Sequence, residues 1–314
     1  MITDRFVPVA ENCSPLQHAQ QDAKGEYFRL IAEQGHYAGR TIPSTSRQGL
    51  YAFKADGTLL ASINTREARP LLDMIEQALE RWDQNPDTTK GAPETYEPDP
   101  RYRSRYPEGG LILLTTTRDL PREVDTRQDD LRRQAFNHDY AWFTRAEAAS
   151  IVPADPRVGQ RAPVPDRLAR RIARFHLLDS ARGETPGWRA EHVEVADLTV
   201  EVTGVAGPLV ELRLEGRVRN HAHGDWPVRG FQPPEPDQDR GYDARLVGDL
   251  TYDREAGAFT RFDLVAVGTR WGGTEYNGRF DDLAPAPMWV LFELAGTLPR
   301  DRTPPHANLG EYFA

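Results

Sequence analysis

The sequence predicts an α+β protein of two unequal parts. An α/β N-terminal domain covers residues 1–84, and a larger antiparallel β-sheet domain with a helical insert covers residues 111–314. Three observations carry this. Strand and helix patterns alternate up to about residue 84. Residues 85–110 form a polar linker punctuated by Pro86, Pro93, Pro98, Pro100 and Pro107. Beyond it, successive segments alternate apolar and polar residues with a period of two, as expected for a sheet with one buried and one wet face. A chain of 314 residues also suits two domains, at roughly 150 residues each. Its 39% hydrophobic and 28% charged residues belong to a globular chain, not to a disordered or collagen-like one.

In the first domain, Arg5-Phe6-Val7-Pro8-Val9-Ala10 reads as a short strand that Pro8 restricts to an edge or an end. Asn12-Cys13-Ser14-Pro15 reads as a helix entry, with a capping residue ahead of a proline tolerated in the first turn. That helix runs to about Gln34, with Tyr27, Leu30 and Ile31 at core spacing, and Gly35 ends it. Residues 50–53 and 59–63 are strands joined at Ala55-Asp56-Gly57, a hairpin signal. A helix follows from about Arg66 to Trp82, its stripe made of Leu71, Leu72, Ile75, Ala78, Leu79 and Trp82.

In the larger domain, residues 111–116 form an apolar strand. Thr144 and Glu147 have capping-box spacing, which starts a short helix. A longer helix is expected over 166–179, with Leu168, Ile172, Phe175 and Leu178 on one face. Strands are expected over 196–205, 209–219, 243–252, 259–268 and 288–295. The helix stripe supplies a cover for their apolar face, and the sheet is expected to be strongly bent or to close into an open barrel.

The order strand (Phe6-Val7-Pro8-Val9), helix, hairpin (Tyr51 through Leu60), amphipathic helix resembles the C-terminal three-quarters of a thioredoxin fold, over about a quarter of the chain. The family carries a CxxC pair before that strand and a cis-proline just before the hairpin. Here the chain starts after the place for the first, and Arg47-Gln48-Gly49 stands where the proline would be. The resemblance therefore implies a thioredoxin-like scaffold without disulfide exchange.

A net charge of −9 argues against general nucleic-acid binding, which needs a basic stripe. Of 39 basic residues only Lys24, Lys54 and Lys90 are lysine, which leaves 36 arginines. Arginine suits bidentate carboxylate pairs and anion recognition, although a coding bias gives the same composition. No stretch approaches the roughly 18–20 apolar residues of a membrane span. The segment Met1 to Phe6 has no basic start followed by an apolar run, so no signal peptide is expected. The default placement is cytoplasmic, or secreted or periplasmic if an upstream signal was removed. Cys13 is the only cysteine, which excludes an internal disulfide and a cysteine-based zinc cage.

Candidate sites follow from residue chemistry. Cys13 at a helix entry sits where backbone N–H groups and the helix dipole favour a thiolate nucleophile or sensor; the alternative is a packing cysteine. His221 and His223, two apart, point the same way on an extended backbone, and Asp225 would complete a facial set for zinc, copper or iron. The alternative is a polar loop leaving the strand at Arg219. Asp139 beside His138 would orient it for acid–base work, against the alternative of aromatic packing around Tyr140, Trp142 and Phe143. The wet-face residues Glu211, Arg213, Glu215, Arg217, Arg245, Asp249, Arg261 and Asp263 read as cross-strand pairs. Trp271, Tyr276 and Tyr242 lie in glycine-bearing segments read as loops that rim a small-molecule or glycan pocket, against the equal alternative of turns with aromatic plugs. No nucleotide-binding, phosphate-loop, GxSxG or HExxH motif occurs.

The sequence thus reads as a binding or interaction protein, leaning away from catalysis. Its partner is a protein or a small molecule. Two alternatives stay open: a thiol-dependent oxidoreductase or redox sensor using Cys13, and a transition-metal protein using His221 and His223.

Overall fold

The computed structural model describes residues 5–7, 9, 23–36, 47–65, 67–86, 106–122, 134–230, 232–296, 301, 303–307 and 309–314. The chain divides into two compact units, Met1–Pro100 and Arg101–Ala314, and the division falls within the proline-bearing stretch 85–110.

The first unit contains helix α1 (Ala23–Ala32), strands β1 (Leu50–Phe53) and β2 (Leu59–Ile63), and helix α2 (Ala68–Gln84). The hairpin forms as its turn residues dictate. Gly57 takes a positive φ of 87° that glycine alone adopts without strain, and the Asp56 carboxylate accepts from Thr58 N–H at 2.9 Å. The apolar stripe of α2 buries Met74, Ile75 and Ala78 against Ala52, Leu60 and Ala61. The expected strand at Phe6 is not formed. Arg5, Phe6, Val7 and Val9 lie outside any strand, and the sheet here has two strands among the described residues. Phe6 instead packs its ring against the hairpin–α2 core. Cys13 and the expected first half of α1 lie outside the described residues.

The second unit is built on one eight-stranded antiparallel sheet. Its strands are β3 (Leu111–Asp119), β4 (Phe136–Phe143), β5 (Arg161–Pro163), β6 (Val193–Ala206), β7 (Leu209–Trp226), β8 (Glu235–Asp253), β9 (Ala258–Trp271) and β10 (Ala286–Leu294). The order is β4-β3-β10-β9-β8-β7-β6-β5, so β5 to β10 form a meander and the β3–β4 hairpin pairs with its last strand. Among the described residues the end strands β4 and β5 do not pair, so the sheet does not form a closed barrel; a strongly bent sheet and an open barrel both have two such edges.

Period-two burial decides the faces. In β7, Val210, Leu212, Leu214, Val218, Asn220 and Ala222 point inward. Helices α3 (Arg145–Ser150) and α4 (Asp166–Phe175) cover that inner face, and α4 buries Leu168, Ala169, Ile172 and Ala173 in the main core. Thr144 and Glu147 form the expected capping box. Glu147 is buried and takes a bidentate pair from Arg171 at 2.8 and 2.9 Å. Burial pushes the Glu147 carboxyl up, but Arg171 prevails and holds it below its usual range. The outer face is solvated and carries ion pairs such as Arg213–Asp249 at 2.9 Å and Arg217–Asp243 at 2.7 Å, as expected for cross-strand pairs.

Several expectations require correction. Residues 136–143, to which the sequence assigned no element, form strand β4. The segments around His221 and Tyr242 are not loops; they extend β7 and β8 well beyond the expected ends. Pairing of His221 with Gly241 and Asn220 with Tyr242 continues the ladder there, so neighbouring strand backbone overrides the glycine and polar composition. A short helix, α5 (Leu309–Tyr312), inserts Tyr312 into a cluster with Trp142 and Phe175.

Candidate functional site

At one end of the sheet the inward-facing positions cease to be apolar. Asp119 ends the inward series of β3, Arg270 that of β9, and Arg240 opens that of β8 ahead of Tyr242 and Ala244. Two loops cross this end, 176–189 after α4 and 272–285 after β9.

A buried network ties these loops to the sheet. Arg279 is fully buried and uses all five of its N–H groups. It holds Asp119 at 2.7 and 2.8 Å, Asp179 at 2.6 and 2.8 Å, and Asp282 at 3.2 Å. Asp282 also receives Arg122 at 2.7 Å, Arg182 at 2.8 Å and Arg270 at 2.6 Å. Burial alone would raise the carboxyls of Asp119 and Asp282, but the surrounding guanidiniums prevail and hold both below the usual range. Burial and the Arg279 charge together lower Arg270 to about 10. The network fastens loop 176–189 through Asp179 and Arg182, and loop 272–285 through Arg279 and Asp282. The loops also touch directly. The Glu184 N–H donates to the Tyr276 carbonyl at 3.1 Å, and a side chain at Gly183 would meet that carbonyl oxygen at 2.2 Å.

Between these loops and the end of β7 lies a cavity of about 620 Å³, within the few-hundred to 1,000 Å³ range of small-molecule sites. Trp226, Tyr276, His192, His223, Asp225 and Arg240 are among its lining residues. Its aromatic walls are fixed by hydrogen bonds, from Trp226 Nε1 to the Gly273 carbonyl at 2.9 Å and from neighbouring Trp188 Nε1 to the Leu177 carbonyl at 3.0 Å. Arg240 is 9% exposed. Its guanidinium carbon lies 4.3 Å from the Trp188 ring centroid and 5.8 Å from that of Trp226. Its one hydrogen bond among the described residues is long, from Nη1 to the Pro186 carbonyl at 3.5 Å. Burial lowers its pKa to about 10, against the pull of Asp179, and burial with the Arg240 charge lowers His192.

A second cavity of about 780 Å³ lies on the other side of residues 184–187, lined by Thr115, Asp139, His176, Glu184 and His306 among others. Here Asp139, His176 and Tyr312 stand in a row. Tyr312 accepts from Trp142 N–H at 2.9 Å and lies 2.8 Å from His176 Nε2, while His176 Nδ1 is 3.7 Å from Asp139 Oδ2. The row has the order of a catalytic triad, but its hydroxyl is sealed in the core, and burial raises the Tyr312 pKa. It anchors α5. Asp139 does not orient His138, because successive strand residues point to opposite faces. His138 Nδ1 lies instead 3.0 Å from Thr116 Oγ1.

The structure scatters the sequence-derived candidates. His223, Asp225 and Tyr276 line the Arg240 cavity. His221 turns outward between Glu194 at 3.2 Å and Asp239 at 2.8 Å, and these pairs raise its pKa, the Asp239 hydrogen bond most. His223 Nε2 is 3.8 Å from Asp237, and Asp225 accepts from Asp237 N–H at 3.2 Å. Among the described residues no three of His, Cys, Asp and Glu group as metal ligands, so the proposed triad is not assembled. Trp271 lies against Asp239 and His221, and its ring covers Gly241, where a Cβ would collide with it at 2.0 Å. Tyr242 is a core residue, not a rim residue: it is fully buried, and its hydroxyl reaches the carbonyls of Ala266 and Met288. Sequence reasoning missed Arg279 and Asp119, and it met Arg240 only as part of the glycine-bearing segment Arg240-Gly241-Tyr242-Asp243. Their signal was a charge on the apolar parity of a strand or in the loop that follows one.

No family model, curated protein or solved structure matches this chain. No helix among the described residues is long and apolar enough to cross a membrane.

Proposed function

We propose that the chain is a non-catalytic binding protein whose sheet unit takes a small molecule in the cavity beside Arg240. The first unit, with the helix–hairpin–helix order of a thioredoxin-like scaffold and no redox pair, serves for docking. The observation that carries this reading is a cavity of ligand size with aromatic walls held by hydrogen bonds and loops fastened by buried ion pairs. Such walls are organised before a ligand arrives, which reduces the ordering cost of binding. The one triad-like row of side chains nearby has a hydroxyl sealed away from both cavities, which favours binding over catalysis.

A screen of small metabolites against the full chain, read by thermal shift and tryptophan fluorescence, tests this. A ligand at a hundred times its Kd stabilises by about 2.7 kcal/mol. It is expected to change the emission of Trp188 and Trp226, to emerge unchanged, and to lose affinity with Trp226→Ala. Conversion of the ligand to a product would overturn the reading. So would binding indifferent to Trp226.

A further inference from the structure

Arg240 has a chemistry that narrows the ligand. As a residue Arg240 is nine-tenths withdrawn from water, and a charge so placed is costly unless a counter-charge or hydrogen bonds replace the lost hydration. At Arg279 the replacement is complete, with every N–H group on a carboxylate. At Arg240 no carboxylate of a described residue forms an ion pair. Asp179 acts on it only at a distance, being itself gripped by Arg279 at 2.6 and 2.8 Å. Three carboxylates line the cavity: Glu184 pairs with His306 at 3.3 Å, Asp225 accepts from Asp237 N–H at 3.2 Å, and Glu275 has interactions of its own but no ion pair with Arg240. Nε and Nη2 of Arg240 have no protein acceptor among the described residues. The guanidinium carbon lies over the Trp188 ring, and because the N–H bonds lie in the guanidinium plane an acceptor reaches these donors edge-on. Two parallel N–H groups on one edge match the two oxygens of a carboxylate or a phosphate.

We propose that the cavity binds a small organic oxyanion, its carboxylate or phosphate paired edge-on with Arg240 Nε and Nη2 and its body against Trp226 and Tyr276. This rests on the cavity being the ligand site, and it adds the charge and the orientation of the ligand.

The test titrates the full chain with benzoate, with phenyl phosphate and with benzamide, the neutral counterpart of benzoate, following the Arg240 Nε–H signal by NMR. Benzoate or phenyl phosphate is expected to shift that signal with a Kd of about 1 mM or tighter, and the tighter of the two identifies the oxyanion. Benzamide is expected to bind at least about tenfold more weakly, a difference a charged hydrogen-bond pair readily supplies. Arg240→Met should abolish the preference for the anion. Arg240→Lys, which keeps the charge and loses the fork, should retain a reduced preference. Benzamide binding as well as benzoate, or an anion preference that survives Arg240→Met, would overturn the oxyanion assignment while leaving the cavity as a ligand site. An Arg240 signal unmoved by either anion would overturn it too. Failure of the metabolite screen to find any ligand sensitive to Trp226 would instead remove the underlying reading.

Discussion

Arg279 and Arg240 lie in the same unit and are both withdrawn from water, yet their surroundings differ in kind. Arg279 spends five N–H groups on Asp119, Asp179 and Asp282 and joins two loops to strand β3. Arg240 rests between Trp188 and Trp226 with one long hydrogen bond to a carbonyl. Burial acts on both in the same direction. The carboxylates reverse it at Arg279, whose pKa rises, and nothing reverses it at Arg240. The contrast separates a charge that holds the fold from a charge that faces a cavity, a distinction that burial alone does not make.

Substitutions test the contrast, the strongest first. Arg279→Met leaves Asp119 and Asp179 facing each other without their common partner, and breaking a buried pair this way costs about 3–5 kcal/mol. Urea denaturation should show that loss, and a change below about 1 kcal/mol would deny the network its structural role.

Acid provides the next test. Asp119 and Asp282 have lower pKa values folded than unfolded, so their contribution is fully present above the unfolded value of about 3.9 and disappears as pH falls below it. Thermal midpoints should therefore drop steeply below about pH 4. Asp282→Asn should be less stable at neutral pH and show a shallower acid slope.

Arg240→Met is expected to change stability by less than about 1 kcal/mol, or to raise it, since an apolar chain of similar length replaces a buried charge that has no carboxylate partner. A loss comparable to that of Arg279→Met would erase the contrast. The smallest effect belongs to the exposed His221. Its raised pKa means that the Asp239 and Glu194 pairs stabilise below about pH 6.5 and fade as pH rises through the raised value. His221→Ala should cost less than about 1 kcal/mol at pH 6 and less still at pH 9, as equilibrium unfolding at the two pH values would show.

The sheet was legible because alternation survives wherever one face is dry. Val210, Leu212, Leu214 and Val218 announced β7, and Thr144 with Glu147 announced α3. What escaped notice were strand ends whose inward residues are polar. Arg240 and Arg270 break the apolar series of their own strands, and a strand assigned by its apolar residues stops where they stop. Residues 235–242 therefore read as loop, although β7 extends the ladder along them and β9 joins at Gly241 and Tyr242. The histidines at 221 and 223 share one side of β7, but Glu194 and Asp239 engage His221 while His223 lines the Arg240 cavity. For Phe6 the local pattern favoured a strand, but among the described residues the sheet of that unit is β1 and β2, and neither pairs with it.

The order of strands also has a kinetic consequence. Strands β6 to β9 join through successive hairpins, so their pairings close over short loops and can zip early. The β3–β4 hairpin comes first in this unit yet pairs with β10, and Asp119 meets Arg279 across 160 residues of chain. Closing so long a loop costs entropy that no contact repays until the ends meet. The meander is therefore expected to assemble first, with the ion network fastening only when the hairpin docks. Cavity closure then belongs to the last stage of folding, and a probe on Trp226 would see it lag behind the sheet.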